Sequence, residues 1–221
     1  LTTCVCTFLC VGSVVVYKGQ VLERNRANDI FGLGVVLSDD ALERMQGNNP
    51  KSCDAIRDHF AYWDDIAVVH NGVRTVSGGH GFAGIGRKKM LLILQERARE
   101  LGVNLQFETE VGPAADYQDD YDIVVACDGL NSSVRNEFAE HFEPEIDVRP
   151  CKFIWLGTHQ KFDDAFTFIF EKPQHGWMWI HAYQFDADTA TVIVGCSAET
   201  WEAWALQGMG KAATSRPCGP A

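Results

Sequence analysis

The chain has 221 residues, 46% of them hydrophobic, enough for one large or two small domains. Acidic residues outnumber basic ones 30 to 19, for a formal net charge of −11, and no basic cluster exceeds Arg87-Lys88-Lys89, which argues against nucleic acid as the main partner. The eight cysteines form no CxxC pair and no zinc-ligand spacing, so the expectation is a reducing, cytoplasmic setting with neither metal site nor disulfide framework.

Residues 1 to 16 are apolar but lack a basic leader and are too short and mixed for a membrane span, so no membrane association is expected. Val14-Val15-Val16 and Val21-Leu22 flank Lys18-Gly19, and Glu23-Arg24 follow. A hydrophobic strand closing on a carboxylate suits the second strand of a dinucleotide-binding fold, where that carboxylate accepts hydrogen bonds from ribose hydroxyls. Ile30 to Leu37 is apolar and punctuated by glycine, and reads as a packed loop. Ser38 to Gln46 reads as a short helix, with Ser38 as cap and Asp39 and Asp40 in its first turn. Phe60 to Val76 alternates as strands do, and Asn71-Gly72 is the strongest short hairpin signal in the chain.

Five glycines between Gly78 and Gly86 predict a loop that lets backbone approach a ligand closely. His80 sits in that loop. Arg87 to Leu101 reads as an amphipathic helix ended by Gly102, with Met90, Leu91, Leu94, Ala98 and Leu101 on one face. Lys88 and Lys89 suit its solvated side, where they could also meet a phosphate. Val103 to Phe107 is a short strand, and an acidic connector leads to Asp122.

The stretch from Asp122 to Arg135, DIVVACDGLNSSVR, carries the most information. A β-branched run feeds Asp128-Gly129, where glycine permits a tight turn. Asn131-Ser132 can cap the helix that follows, and Arg135 and the free amides would then face one anionic region. From Cys151 the texture changes. Lys152–Thr158, Ala165–Phe170, Gly176–Tyr183 and Thr189–Cys196 read as successive strands rich in Phe and Trp, an antiparallel sheet with an aromatic surface. Residues 207 to 221 lose all periodicity and read as a disordered tail.

The Asp-Gly stretch resembles a motif of the single-component flavoprotein aromatic hydroxylases. Longer segments extend the resemblance over roughly residues 21 to 202: ERNRANDIFGLGVVLSD, SGGHGFAGIGRKKMLLILQERARELG, CKFIWLGTHQKFDDAFTFIFE and HGWMWIHAYQFD. They are similar to the branch that hydroxylates salicylyl-CoA and 2-aminobenzoyl-CoA. The resemblance implies an α/β fold with an incomplete, Rossmann-like FAD-binding core and a mostly antiparallel substrate layer. The core would span residues 14–150, with strands near 60–76 belonging to the substrate layer, and a substrate-facing sheet would span 151–202. Glu23, Arg24, Arg87, Asp128 and Gly129 would contact FAD. His80 and His181 would face a small aromatic substrate, such as a CoA thioester, with Tyr183 as a further polar neighbour. NADH or NADPH would supply electrons, and molecular oxygen the hydroxyl group.

Two family features have no counterpart here. Residues 1 to 20 contain only Gly12 and Gly19, so the GxGxxG turn that holds the pyrophosphate is absent, and no later Gly-Asp motif follows the aromatic strands. The expectation is therefore weak FAD binding and a fragment with aberrant ends. The competing readings are a flavoprotein reductase or dehydrogenase on the same fold, and a non-catalytic truncated piece.

Overall fold

The computed structural model describes residues 19–29, 32–162 and 165–206. The expectations for residues 1–16 and 207–221, and the cysteines at 4, 6, 10 and 218, lie outside the described residues. The fold is mixed α/β with sheets that are mostly antiparallel, and it divides into two compact units. Among the described residues no helix is long and apolar enough to cross a membrane.

The first unit takes the chain up to Gly32, then Asp40–His59 and Gly86–Asp147. Its strand β1 (Gln20–Leu22) pairs in parallel with β7 (Asn104–Gln106), with Val21 opposite Leu105. The predicted first helix runs as α1 (Asp39–Asn48), and a second helix unmarked in the sequence reading follows as α2 (Pro50–Arg57). Its start is local chemistry: Pro50 occupies the first turn, where a missing N–H costs nothing, and the Asn49 side chain accepts from the Ser52 N–H at 3.2 Å. The long helix α3 (Arg87–Glu100) buries Met90, Leu91, Leu94 and Ala98, as its periodicity predicts. Gly102, at φ 78°, ends it: its N–H bonds the Arg99 carbonyl and that of Val103 bonds the Ala98 carbonyl, both at 3.0 Å. The buried amide of Gln95 is satisfied by the Ala27 carbonyl at 2.8 Å.

The second unit takes Leu33–Asp39, Phe60–Ile85 and the chain from Val148. Its six-stranded sheet has the order β5-β4-β9-β10-β11-β8. The strands are β4 (Asp65–His70), β5 (Val73–Ser77), β8 (Cys151–Thr158), β9 (Ala165–Glu171), β10 (Met178–Gln184) and β11 (Ala190–Ser197). The four aromatic-rich strands form where the sequence predicts them, each antiparallel to its neighbour. The single parallel pair is β4 with β9. Asn71 and Gly72, at φ 49° and 73°, make the hairpin turn between β4 and β5.

A smaller sheet has the order β2-β6-β3, from β2 (Gly34–Ser38), β3 (Ala61–Trp63) and β6 (Phe82–Gly86). Two stretches read as loops thus contain strands. Glycine there serves close packing: a Cβ on Gly84 would lie 2.5 Å from the Gln184 carbonyl oxygen and 2.7 Å from the Trp63 ring. Trp63, Tyr183 and Phe185 form the core of this unit, flanked by Leu33, Val36, Phe82, Phe166 and Ile193.

The expected strand before Asp128 is the main correction. Ile123, Val124 and Val125 pair with no strand among the described residues and are 70%, 44% and 55% exposed. Their β-branched side chains favour an extended backbone, but a strand is completed by a neighbour, and no ladder from the described residues reaches this run.

Candidate functional site

In the first unit, the end of β1 and the Asp-Gly turn face one cavity of about 320 Å³. Glu23 and Arg24 line one side. Ile123 to Asp128 and Ser133-Val134 line the other, and Thr109 to Gly112 close it. The walls come together because the chain after β7 runs back along β1: the Thr109 N–H bonds the Glu23 carbonyl at 3.0 Å, and that of Glu108 bonds the Asn25 carbonyl at 3.1 Å. Sequence reading missed Thr109–Gly112 and Tyr121, whose hydroxyl donates to the Gln20 side chain. The parallel pairing of β1 and β7 is the signal that leads to them.

The two carboxylates predicted for this cavity are already held. Glu23 Oε1 accepts from the Asn25 backbone N–H at 2.8 Å and from its side-chain Nδ2 at 2.6 Å. Asp128 Oδ2 accepts from the Ser133 N–H at 2.7 Å, the Ser133 hydroxyl at 3.2 Å and the Val134 N–H at 3.4 Å. Burial pushes the Asp128 carboxyl up, but the Ser132 hydroxyl and the Val134 and Ser133 amides outweigh it and hold the group below the usual carboxylate range. Ser132 caps the short helix α4 (Ser133–Glu137), accepting from the Arg135 N–H at 2.9 Å.

This changes the anion-cradle expectation. The first amides of α4 are filled by Asp128 and Ser132 rather than left open. Arg135 lines a second cavity of about 610 Å³, with Phe138, His141 and Phe142. Val124 to Ala126 border both cavities. The first cavity presents one cation, Arg24, against Glu23, Glu110 and Asp128. That donor set suits a ligand that offers hydroxyls and a flat apolar ring. It suits a diphosphate poorly.

The remaining site candidates are placed as follows. Gly129, at φ 85°, makes the turn that follows Asp128. Arg87 opens α3 and lies outside the lining of the Glu23–Asp128 cavity. His80 and His181 belong to the second unit. His80 is exposed, its Nε2 is 2.8 Å from the Ser77 hydroxyl, and its ring stacks on Phe82 with centroids 6.3 Å apart. His181, half-buried on β10, meets Phe168 edge-on at 4.8 Å, and burial pushes its imidazole below the ordinary value. The Tyr183 hydroxyl is committed to the Gly34 carbonyl at 2.9 Å, so this buried side chain serves packing. Among the described residues no group of three or more His, Cys, Asp or Glu could hold a metal ion.

No family model matches the chain. Curated relatives do. The chain is 44% identical over 181 residues to salicyloyl-CoA 5-hydroxylase of Streptomyces sp, covering 82% of this chain and 35% of that protein. It is 28% identical over 200 residues to protodeoxyviolaceinate monooxygenase of Chromobacterium violaceum, covering 82% of this chain and 49% of that one. The chain therefore spans between a third and a half of the length of these relatives. Among solved structures, 2-methyl-3-hydroxypyridine-5-carboxylic acid oxygenase in its tetrameric form matches with a TM-score of 0.68 and 17% identity, over 81% of this chain and 52% of that one. A probable FAD-dependent monooxygenase, pqsL of Pseudomonas aeruginosa, matches with a TM-score of 0.62 and 17% identity, over 90% and 58%.

Proposed function

Taking as premise that this chain is related to the flavoprotein aromatic hydroxylases, of which it spans a part, we propose that it belongs to an FAD-dependent monooxygenase acting on a small hydroxylated or aminated aromatic ring. The observation that carries the reading is the convergence of Glu23, Arg24 and Asp128 on one cavity. Residues distant in sequence meet there, and the resemblance assigns all of them to the cofactor. The 44% identity to salicyloyl-CoA 5-hydroxylase supports a benzoate-type substrate, as a CoA thioester, with NADH or NADPH as donor. The first unit takes the cofactor-binding role of a partial Rossmann-like core, and the aromatic sheet takes the substrate side. A cytoplasmic enzyme fits this chemistry.

The cavity suits the nucleoside end of FAD. Glu23 spends Oε1 on the turn at Asn25, which leaves Oε2 for a ribose hydroxyl. Asp128, anchored on the amides of α4, stays ionised and is fixed in place as a second hydroxyl acceptor. Arg24 supplies the positive charge at the rim. Gly129 lets the backbone turn away without a side chain entering the space, and Arg87 would reach the cofactor from the start of α3. FAD, when bound, supplies the redox and oxygen chemistry. The protein's part is to hold the cofactor, present the aromatic ring and keep water from the reacting carbon.

Titration of the chain with FAD, followed by flavin fluorescence, tests this reading. Binding weaker than micromolar is expected, because one cation faces three carboxylates in the cavity. Asp128→Ala or Glu23→Ala should weaken it by about tenfold, the worth of one charge-assisted hydrogen bond. Equal affinity in all three proteins, or no binding by any, overturns the assignment.

A further inference from the structure

We propose that the cavity lined by Arg135 binds an apolar monocarboxylate, with the Arg135 guanidinium meeting the carboxylate and the cavity walls taking the apolar body. This adds a second ligand site to the first unit and does not depend on the flavin reading.

The two cavities of the first unit differ in charge. The Glu23–Asp128 cavity sets three carboxylates against one cation. The lining of the Arg135 cavity, of about 610 Å³, contains Arg135 and His141 and no Asp or Glu. In a chain of formal net charge −11, such a lining concentrates positive charge where the rest of the molecule lacks it. Glu137, two residues beyond Arg135, is spent elsewhere: its Oε2 accepts from the Ala114 N–H at 2.9 Å.

The Arg135 side chain is uncompensated. Its backbone N–H serves the Ser132 cap, but its guanidinium forms no ion pair among the described residues. Its Nε is buried and has no hydrogen-bond partner among them. A buried guanidinium nitrogen without an acceptor is costly unless something offsets its charge. With Nε shut off from water, the two outer nitrogens are left to meet an anion. A carboxylate offers two oxygens to that fork and gains charge-assisted hydrogen bonds.

The rest of the lining sets the body of the ligand. Val124 and Val125 contribute aliphatic wall, and Phe138 and Phe142, with ring centroids 5.9 Å apart, contribute aromatic wall. Phe138 follows α4 directly, and Phe142 ends the short helix α5 (Ala139–Phe142), so both rings lie within seven residues of Arg135. Val124, Val125 and Phe142 are 44%, 55% and 56% exposed, and an apolar body laid on them removes surface that the described residues leave in water. Inorganic phosphate would meet the guanidinium and leave these walls wet. The cavity therefore selects a ligand with both parts. His141 is exposed, lies against the Phe142 ring at 5.5 Å and is the second basic group of the lining.

Octanoate and 1-octanol are the probes, because they share an alkyl chain and differ in charge. Isothermal titration calorimetry should show octanoate binding about tenfold tighter than the alcohol, the worth of one charge-assisted hydrogen bond. Arg135→Gln should weaken octanoate alone and bring the two to equal affinity. Arg44→Gln removes an exposed cation of the same unit from outside the lining and should keep the preference. Phe142→Ser should weaken both probes together. Titration with 4-ethylbenzoate tells an aryl body from an alkyl one: both acids should depend on Arg135, and the tighter of the two names the body. Far-UV circular dichroism confirms that the variants fold. Equal affinity for acid and alcohol in the original protein overturns the assignment. So does a preference that survives Arg135→Gln, indifference to Phe142→Ser, or no binding of octanoate.

Discussion

The two units treat similar sequence in opposite ways. Val192 to Val194 and Ile123 to Val125 are both short β-branched runs. The first sits in β11, laddered to β10 on one side and to β8 on the other. The second has no ladder among the described residues and is largely exposed. Propensity is equal, so the difference lies in the neighbours. β10 and β11 follow one another in the chain and close through a short turn in which the Phe185 N–H bonds the Thr189 carbonyl at 3.2 Å. A parallel strand in an α/β core has to receive its partners from distant sequence. Antiparallel meanders are therefore read well from local pattern, and parallel cores poorly.

That contrast makes Trp63 the strongest test of the second unit. It is 5% exposed and stacks between Phe82 and Tyr183, with centroids 6.4 and 6.3 Å away. Trp63→Ala should cost about 3–5 kcal/mol, the range for truncating a large buried aromatic. Chemical denaturation followed by far-UV circular dichroism measures it. A loss below about 1 kcal/mol, the scale of an ordinary point change, would mean that the aromatic core contributes less than its burial implies.

What the sequence revealed follows the same division. The hairpin at Asn71-Gly72, the helix from Arg87 and all four strands after Cys151 were legible, because each rests on a local period or turn residue. The strands at Gly34–Ser38 and Phe82–Gly86 were not. Their glycines imitate a loop, yet they exist to let Trp63, Phe185 and the Gln184 backbone come close. Helix α2 was missed although Asn49-Pro50 is a start signal, because eight residues carry too little periodicity to stand out. At the site, Glu23 and Asp128 were legible as types. That their own amides and side chains already hold them was not, since it depends on where the chain turns back. His181 carried no mark in sequence that separated it from His80; only their hydrogen-bond partners do.

A smaller effect belongs to Asp128, whose carboxylate anchors the start of α4. Asp128→Ala should cost about 1 kcal/mol, as loss of a cap does. The pH dependence follows from the lowered pKa. The group binds fewer protons folded than unfolded, so its stabilisation is complete above the unfolded value near 3.9 and is lost as pH falls through the lower folded value. Asp128→Asn should flatten that acid-side decline in urea titrations run at stepped pH. A decline as steep in the variant as in the original protein would assign the acid sensitivity to other carboxylates.

The smallest effect is expected where local pattern promised most. Ile123 is 70% exposed, and from sequence it opens the β-branched run of a buried strand. If the run is as open as the structure has it, Ile123→Asn removes little buried apolar surface and should change stability by no more than about 0.5 kcal/mol, the scale of surface substitutions. The amides of Ile123 to Cys127 should exchange with solvent as fast as those of a loop, while those of Ile180 to Tyr183, bonded within the sheet, should be protected. The two readouts constrain each other. A side chain can be exposed on a backbone that is laddered, and fast exchange can come from a backbone whose side chains are buried. Only the combination of a near-silent substitution and fast exchange describes a run without neighbours. A loss of about 2 kcal/mol or more, the scale of a buried side chain, together with slow exchange would place Ile123 in a packed, paired strand and remove the contrast between the units.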